Sequence, residues 1–386
     1  MPSSWNNPQL HALLTRSSSI ALLLVLVVLA LYLPWLGHTD LLHEETRRAV
    51  IARTMMDSGD YLVPLLGERI YLNKPPFFNW MIVATSLPVG TVTEWTARLA
   101  TVLSLALLAA TLVLTTGHRL GTGARWLLGI GTVVAGEVMH KAVLGNVDIA
   151  FTLFVSASLW VWFALDDHGR RGLALWLPPA ILVAIAFLTK REPGLVFYYL
   201  GIGAFLLTQR RFGELFRPPH LIAAAVTLGL IGLWLIPLIS QVGLEAVVQN
   251  FEDQVVERGL SSSLGDYVAH FFRYPLEILV AALPISALLV PLAWPSVVRA
   301  VWRRHGRMFV FATVVVLVNL PIYWLRADVA VRYFLPMFPT LAVLAAMVFD
   351  TLLARQDDWS RGARRTLYGL ALFLLALGAC FAGAMV

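Results

Sequence analysis

Residues 41–80, LLHEETRRAVIARTMMDSGDYLVPLLGERIYLNKPPFFNW, interrupt a chain that is otherwise mostly apolar. The stretch carries the carboxylate pair Glu44 and Glu45, four arginines, and Lys74 beside Pro75 and Pro76. It follows an apolar run at residues 18–36 that is long enough to cross a hydrocarbon core as a helix. Ionisable groups between two membrane-crossing segments are costly unless they meet water or one another. The stretch therefore reads as a folded cap over a polar cavity, and as the reaction site.

Outward from it, the composition agrees. The 386 residues are 59% hydrophobic and only 13% charged, with a mean hydropathy of +0.75, whereas soluble domains carry about 25% charged residues. Apolar runs near residues 18–36, 99–117, 126–144, 149–165, 173–189, 194–209, 220–240, 276–296, 308–325, 333–351 and 366–386 predict about eleven transmembrane helices. The expected fold class is an all-α polytopic membrane protein. Its single domain covers residues 1–386, with long loops at 37–98 and 241–275 and no soluble domain after the last span. The first run lacks a small-residue cleavage site and more spans follow, so it reads as a retained span rather than a signal peptide. One cysteine, Cys380, excludes an internal disulfide and a cysteine-rich metal site, and reads as a small buried hydrophobe.

The net charge of +6 does not point to nucleic acid, because the basic residues cluster in short joints between spans. With the amino terminus in the cytoplasm, the cytoplasmic joints hold Arg119 and Arg125, Arg170 and Arg171, Arg210, Arg211 and Arg217, then Arg299, Arg303, Arg304 and Arg307, and finally Arg355, Arg361, Arg364 and Arg365. This is the positive-inside pattern of a multi-pass membrane protein. The same threading gathers the opening loop, Asp148, the joint 190–193, the loop 241–275 and residues 326–332 on the opposite side. Acids and bases concentrated there suit an enzyme that acts outside the cytoplasm.

Within the opening loop, residues 44–56 favour a helix that stops at Asp57, Ser58, Gly59 and Asp60. On that helix Glu44, Arg47 and Arg48 share a face, either as a surface salt bridge or as part of a site. Pro75 and Pro76 prevent the next helix from extending backwards, and FFNWMIVATSLPVG is short for a span, so it is expected to lie flat at the interface. The third span ends in Glu137, His140 and Lys141, a set at i, i+3 and i+4. Asp148 either caps the following helix or faces the site. In the later loop, Val247, Val248, Phe251 and Val255 follow helical spacing, and Arg258, His270 and Arg273 are available to a ligand.

Arginine forks and lysine ammonium groups bind phosphate oxygens, and a carboxylate can take a proton from a hydroxyl. Together they suit displacement of a lipid phosphate from an activated group by a hydroxyl. With those residues in view, the chain resembles the GT-C class of polytopic glycosyltransferases, in the branch of the lipid A aminoarabinose transferases and protein O-mannosyltransferases. The resemblance rests on six ordered blocks: EETRRA from Glu44, RTMMDSGDYLVP from Arg53, YLNKPPFFNW from Tyr71, NVDIAF around Asp148, FLTKREPGL from Phe187 and VRYFLPMFP from Val331. It implies a GT-C bundle whose first periplasmic loop carries juxtamembrane helices. It implies Glu44 and Asp148 as catalytic carboxylates, with Glu44 the base, and Arg47, Lys74, Arg332 and Tyr333 as grips on the donor phosphate. Further contacts to substrate are expected from Glu45, Arg48, Asn73, His140, Lys141, Lys190 and His270.

The implied reaction is a single inverting displacement from a polyprenyl-phosphate-linked sugar to a lipid, glycan or protein acceptor among membrane lipids, with no cofactor required. Whether a divalent cation is used is left open; Glu137, His140, Asp148 and His270 are the groups available to one. Three positions depart from the pattern: Glu44 stands where the branch has Asp, Asn73 where it has Glu, and Arg48 where Tyr is common. A transporter or lipid flippase, or a non-catalytic polyprenyl-phosphate-binding homologue, are the alternatives. Transporters carry repeated halves with paired broken helices, and no such repeat is visible here.

Overall fold

A computed structural model describes residues 15–42, 44–257, 263–327, 329–354 and 369. Among these, seven helical segments are long and apolar enough to cross a membrane: Ser17–Trp35, Glu94–Arg119, Val147–Asp167, Leu173–Lys190, Pro218–Val242, Pro295–Trp324 and Val331–Ala354. An eighth is formed if Leu264–Ala281 and Ser286–Ala293, bent by 119°, count as one span. The helix Pro193–Thr208 is apolar but shorter. The count of eleven therefore resolves differently. The expected span at 126–144 is broken at Ala135, which is extended (φ −61, ψ 132), into Thr122–Val134 and Gly136–Ala142. The expected span at 276–296 is the bent pair, where Pro284 lacks the N–H that would continue a helix. The run at 366–386 with Cys380, the arginines 355, 361, 364 and 365, and Arg258 lie outside the described residues.

The helices are labelled in chain order: α1 Ser17–Tyr32, α2 Glu44–Ser58, α3 Phe77–Ser86, α4 Glu94–Thr116, α5 Thr122–Val134, α6 Gly136–Ala142, α7 Val147–Asp167, α8 Leu173–Lys190, α9 Pro193–Thr208, α10 Pro218–Val242, α11 Leu244–Glu257, α12 Leu264–Ala281, α13 Pro295–Asn319 and α14 Phe338–Ala354. The loop at 37–98 thus holds two helices, as expected, and also a small antiparallel hairpin that the all-α reading did not contain. Leu65 and Leu66 pair with Ile70 and Arg69 around Gly67, whose φ of +65° opens the two-residue turn. The loop at 241–275 is shorter than expected, because a capping box at Ser263 and Asp266 starts α12 at Leu264.

The centre of the bundle is α7 with the segment ending in α14, of whose apolar windows 83% and 89% are buried, whereas α1 and α10 are peripheral at 28% each. Around α7 an aromatic cluster of Trp160, Trp162, Phe163, Phe205 and Phe311 packs with ring centroids 4.8–6.2 Å apart. Tilted, stacked and edge-on pairs of this kind add to simple area burial.

Charges fall on the two ends of this core. At one end lie α2, the start of α7 and the end of α8. At the other, Asp166 and Asp167 at the foot of α7 gather Arg119, Arg171, Arg211, Arg307 and His118. Asp350 receives Arg304 Nε at 2.7 Å and the Gly121 amide at 3.0 Å. The arginines that read as orientation signals are thus also fastenings between distant helices. Because Asp166 is fully buried among three arginines, Asp166→Ala is expected to lower stability by about 3 kcal/mol. Breaking the exposed Arg53–Asp57 pair, 3.7 Å apart, with Asp57→Ala should cost under about 1 kcal/mol. Thermal unfolding in detergent compares the two, and equal effects would contradict the fastening role.

Candidate functional site

The opening loop is built on α2. Its acidic first turn suits the positive end of a helix, and Gly59, with φ +72°, ends it where the sequence put the stop. The two glutamates at its start have opposite fates. The Glu44 side chain is 52% exposed and bound to Arg47 at 2.7 Å, with Arg48 at 3.6 Å. Glu45 is 2% exposed and forms a bidentate pair with Arg98, at 3.0 and 3.2 Å. Its oxygens also accept the amide N–H groups of Leu42 and Gly145. Arg98 uses its remaining donors on the carbonyls of Leu36, Thr39 and Asp40. Every lone pair and proton of the buried pair is engaged, which is the condition for burying two charges. Glu45, expected as a substrate contact, is instead the tie between the opening loop, α4 and the turn before α7.

That turn carries the second carboxylate. Asn146 caps α7 by accepting the Asp148 amide at 3.2 Å, so Asp148 is not the cap. Its buried carboxylate meets the ammonium of Lys190 at 2.5 Å, and the positive field of Lys141 and Arg332 also acts on it. Lys190 further lies 4.9 Å from the Tyr333 ring centroid and 5.3 Å from that of Phe151. The joint 187–195 explains how Lys190 gets there. Arg191 takes a left-handed φ of +71°, an uncommon conformation for a side-chain-bearing residue, and α9 restarts with Pro193. A Cβ on Gly194 would stand 2.9 Å from the Ala186 Cβ, so glycine is what lets the two helices meet so closely.

Arg48 is buried and donates to the Tyr71 hydroxyl at 2.9 Å, its guanidinium 5.1 Å from that ring's centroid. It therefore joins the first block to the third rather than facing open solvent. Asn73 is exposed and accepts from Asn250 Nδ2 of α11 at 2.8 Å, which links the two long loops. Lys74 is half-buried three residues before the start of α3. Arg332 is exposed, with its guanidinium 5.6 Å from the ring centroid of half-buried Tyr333.

His140 is exposed, 3.8 Å from Glu137, and Glu137 is also 3.8 Å from the buried ammonium of Lys141, as the i, i+3, i+4 spacing suggests. The His270 ring packs on Tyr274 with its Nε2 3.1 Å from the Tyr323 carbonyl oxygen. Arg273 is paired on the surface with Glu277 at 2.8 Å. Among the described residues no three of His, Cys, Asp or Glu come together as a metal site. Arg98, Tyr71, Asn146 and Gly145 were not singled out. The signal for Arg98 was an arginine at the edge of an apolar helix, which needs a buried partner.

The family described as dolichyl-phosphate-mannose-protein mannosyltransferase matches residues 73–236. An undecaprenyl phosphate-alpha-4-amino-4-deoxy-L-arabinose arabinosyl transferase of Pseudomonas paraeruginosa is 29% identical over 372 residues, which are 94% of this chain and 65% of that protein. A second such transferase, from Pseudomonas fluorescens, is 31% identical over 225 residues, 57% of this chain and 38% of that protein. The crystal structure of ArnT from Cupriavidus metallidurans bound to undecaprenyl phosphate superposes with a TM-score of 0.74 at 22% identity, over 91% of this chain and 63% of that one. The chain thus spans about two thirds of the length of the relatives it matches. The fold is that of the GT-C class of polytopic membrane proteins. Within it, the chain resembles the lipid A aminoarabinose transferases.

If Glu45 ties the loop to α7, Glu45→Gln should speed amide hydrogen exchange at Leu42 and Gly145 by about tenfold or more, since bonds to a charged acceptor contribute about 1.5–3 kcal/mol. Unchanged exchange at both amides, with the variant folded, would remove that role.

Proposed function

We propose that this chain is an inverting glycosyltransferase that moves a sugar from a polyprenyl-phosphate donor to a hydroxyl or phosphate of a lipid, glycan or protein acceptor. In this reading it sits in the bacterial inner membrane with its amino terminus in the cytoplasm and its site facing the periplasm. The observation that carries it is the link, through Glu45, between the exposed carboxylate and guanidinium surface of α2 and the buried Asp148–Lys190 pair, on one end of a GT-C bundle. The relatives support the donor class, since their names specify a sugar on undecaprenyl phosphate.

The proposed chemistry is one displacement. The acceptor oxygen attacks the anomeric carbon while Glu44 takes its proton; the bond to the donor phosphate breaks on the opposite side, and polyprenyl phosphate departs with inversion of configuration. Glu44 is suited to this because its carboxylate is exposed, whereas those of Glu45 and Asp148 are engaged in buried pairs. Arg47, itself 40% exposed, can turn from Glu44 to the donor phosphate, which would free the carboxylate for the acceptor hydroxyl. Lys74, Arg332 and Tyr333 complete the grip on the phosphate. Asp148 acts by holding Lys190 in place, so that its ammonium is fixed before charge develops on the leaving phosphate. The donor is already activated, so no nucleotide cofactor is required.

Transfer of labelled sugar from a synthetic polyprenyl-phosphate donor tests this. Glu44→Gln should lower kcat by about 100- to 10,000-fold with unchanged thermal unfolding, and Lys190→Ala by about 100-fold or more. Full activity in Glu44→Gln would overturn the assignment of the base. Absence of transfer by the parent protein to lipid, glycan and protein acceptors alike would overturn the function.

A further inference from the structure

At the end of the bundle away from Glu44 and Asp148, α13 begins with a half-helix of its own character. The chain leaves helical geometry at Gly306 (φ 13, ψ −86), which separates residues 295–305 from the apolar half that follows. In the first half Val297, Val301 and His305 are buried at i, i+4 and i+8, whereas Ser296, Arg299, Trp302, Arg303 and Arg304 are exposed. This is an amphipathic segment packed on the bundle with a basic outer face. Between it and the end of α14 lies a cavity of about 670 Å³, lined by Ser296, Arg299, Arg303, Arg304, Thr351 and Ala354. Its volume lies within the range of small-ligand sites.

The three arginines are not equivalent. Arg304 is committed to Asp350 at 2.7 Å. Arg299 and Arg303 have no carboxylate partner among the described residues, although the neighbouring arginines 119, 171, 211 and 307 are all fastened to Asp166 or Asp167. Orientation of the protein in the membrane needs positive charge on this side but does not need a cavity, nor two guanidinium groups left unpaired at its wall. Guanidinium forks match phosphate oxygens, and the Ser296 hydroxyl adds a neutral donor. The indoles of Trp294, the residue that precedes the half-helix, and Trp302 on it are 49% and 56% exposed, and tryptophan is favoured at headgroup depth.

We propose that this pocket binds the phosphate of an anionic membrane phospholipid, with Arg299 and Arg303 as the principal contacts. The site is separate from the proposed transfer site and does not rest on that reading. A phosphodiester headgroup fills the polar pocket, while its acyl chains lie along the apolar surface that the half-helix flanks.

The test uses the full-length protein in nanodiscs of phosphatidylcholine, with or without phosphatidylglycerol, labelled by an arginine-directed dicarbonyl and mapped by mass spectrometry. Labelling of Arg299 and Arg303 in phosphatidylglycerol should slow well beyond the about fivefold that the diffuse field of anionic headgroups gives any arginine near the surface. Arg217, exposed on the same side but outside the pocket, should change much less. Arg299→Gln with Arg303→Gln should abolish preferential retention of phosphatidylglycerol in native mass spectra, and Arg217→Gln should preserve it. Equal labelling in the two lipids overturns the proposal, as does equal protection of Arg217, which would mean a diffuse field. Equal protection by inorganic phosphate would assign the pocket to a soluble anion instead. Failure of both arginines to react in either lipid would mean that the chain after Ala354 covers them, and would also overturn it.

Discussion

The buried pair between Glu45 and Arg98 is the constraint on which the arrangement of the site depends. It lies where three separate pieces of chain meet: the start of α2, the start of α4 and the turn before α7. Two charges in such a place are tolerable only because their oxygens and protons are used, on the amides of Leu42 and Gly145 and the carbonyls of Leu36, Thr39 and Asp40. Those same bonds specify where the opening loop sits on the bundle. Glu44, one residue earlier, is thereby held at the surface of the cap, and the Gly145 turn delivers Asp148 to Lys190.

The division of labour between adjacent glutamates follows from helix geometry. Neighbouring side chains on a helix point about 100° apart, so one can be buried against α4 while the other faces outward. A cap built this way has a rigid inner face and an adaptable outer one. The outer ion pair of Glu44 with Arg47 is of the weak, solvent-screened kind and can be exchanged for a phosphate. The inner pair cannot be exchanged without leaving a buried charge alone. Exposed, exchangeable charges are thus mounted on a fixed frame, which is what the proposed displacement would need.

The other end of the bundle is fastened by the same means with the signs reversed in number, few acids and many bases. Asp166, Asp167 and Asp350 each collect cations from different helices, so the loops that carry the orientation signal also close the bundle. The two ends enclose an aromatic core around α7, and α7 carries the buried Asp148–Lys190 pair at its head and the acidic fastening at its foot. Any tilt of α7 would disturb both.

Much of this was legible in the sequence. The polar stretch after the first apolar run, the stop of α2 at Gly59, the two-sided distribution of charge and the six ordered blocks are local or periodic properties, and each follows from residue chemistry alone. The number of spans was less legible, because a broken helix and a continuous one can have nearly the same composition; the break at Ala135 has no proline to announce it. The candidate carboxylates stand out in the sequence as polar residues in an apolar chain, but their environments do not. Glu44 and Glu45 are indistinguishable by composition, and only the approach of Arg98 and Gly145, 53 and 100 residues away in sequence, buries one and exposes the other. Likewise Asp148 reads as a possible helix cap until Lys190 arrives from 42 residues on. The sequence by itself determined a multi-spanning helical membrane protein with its candidate site residues gathered at one end. The tertiary structure decided which of those side chains are free to act, because burial and long-range pairing depend on contacts between segments that no local pattern encodes.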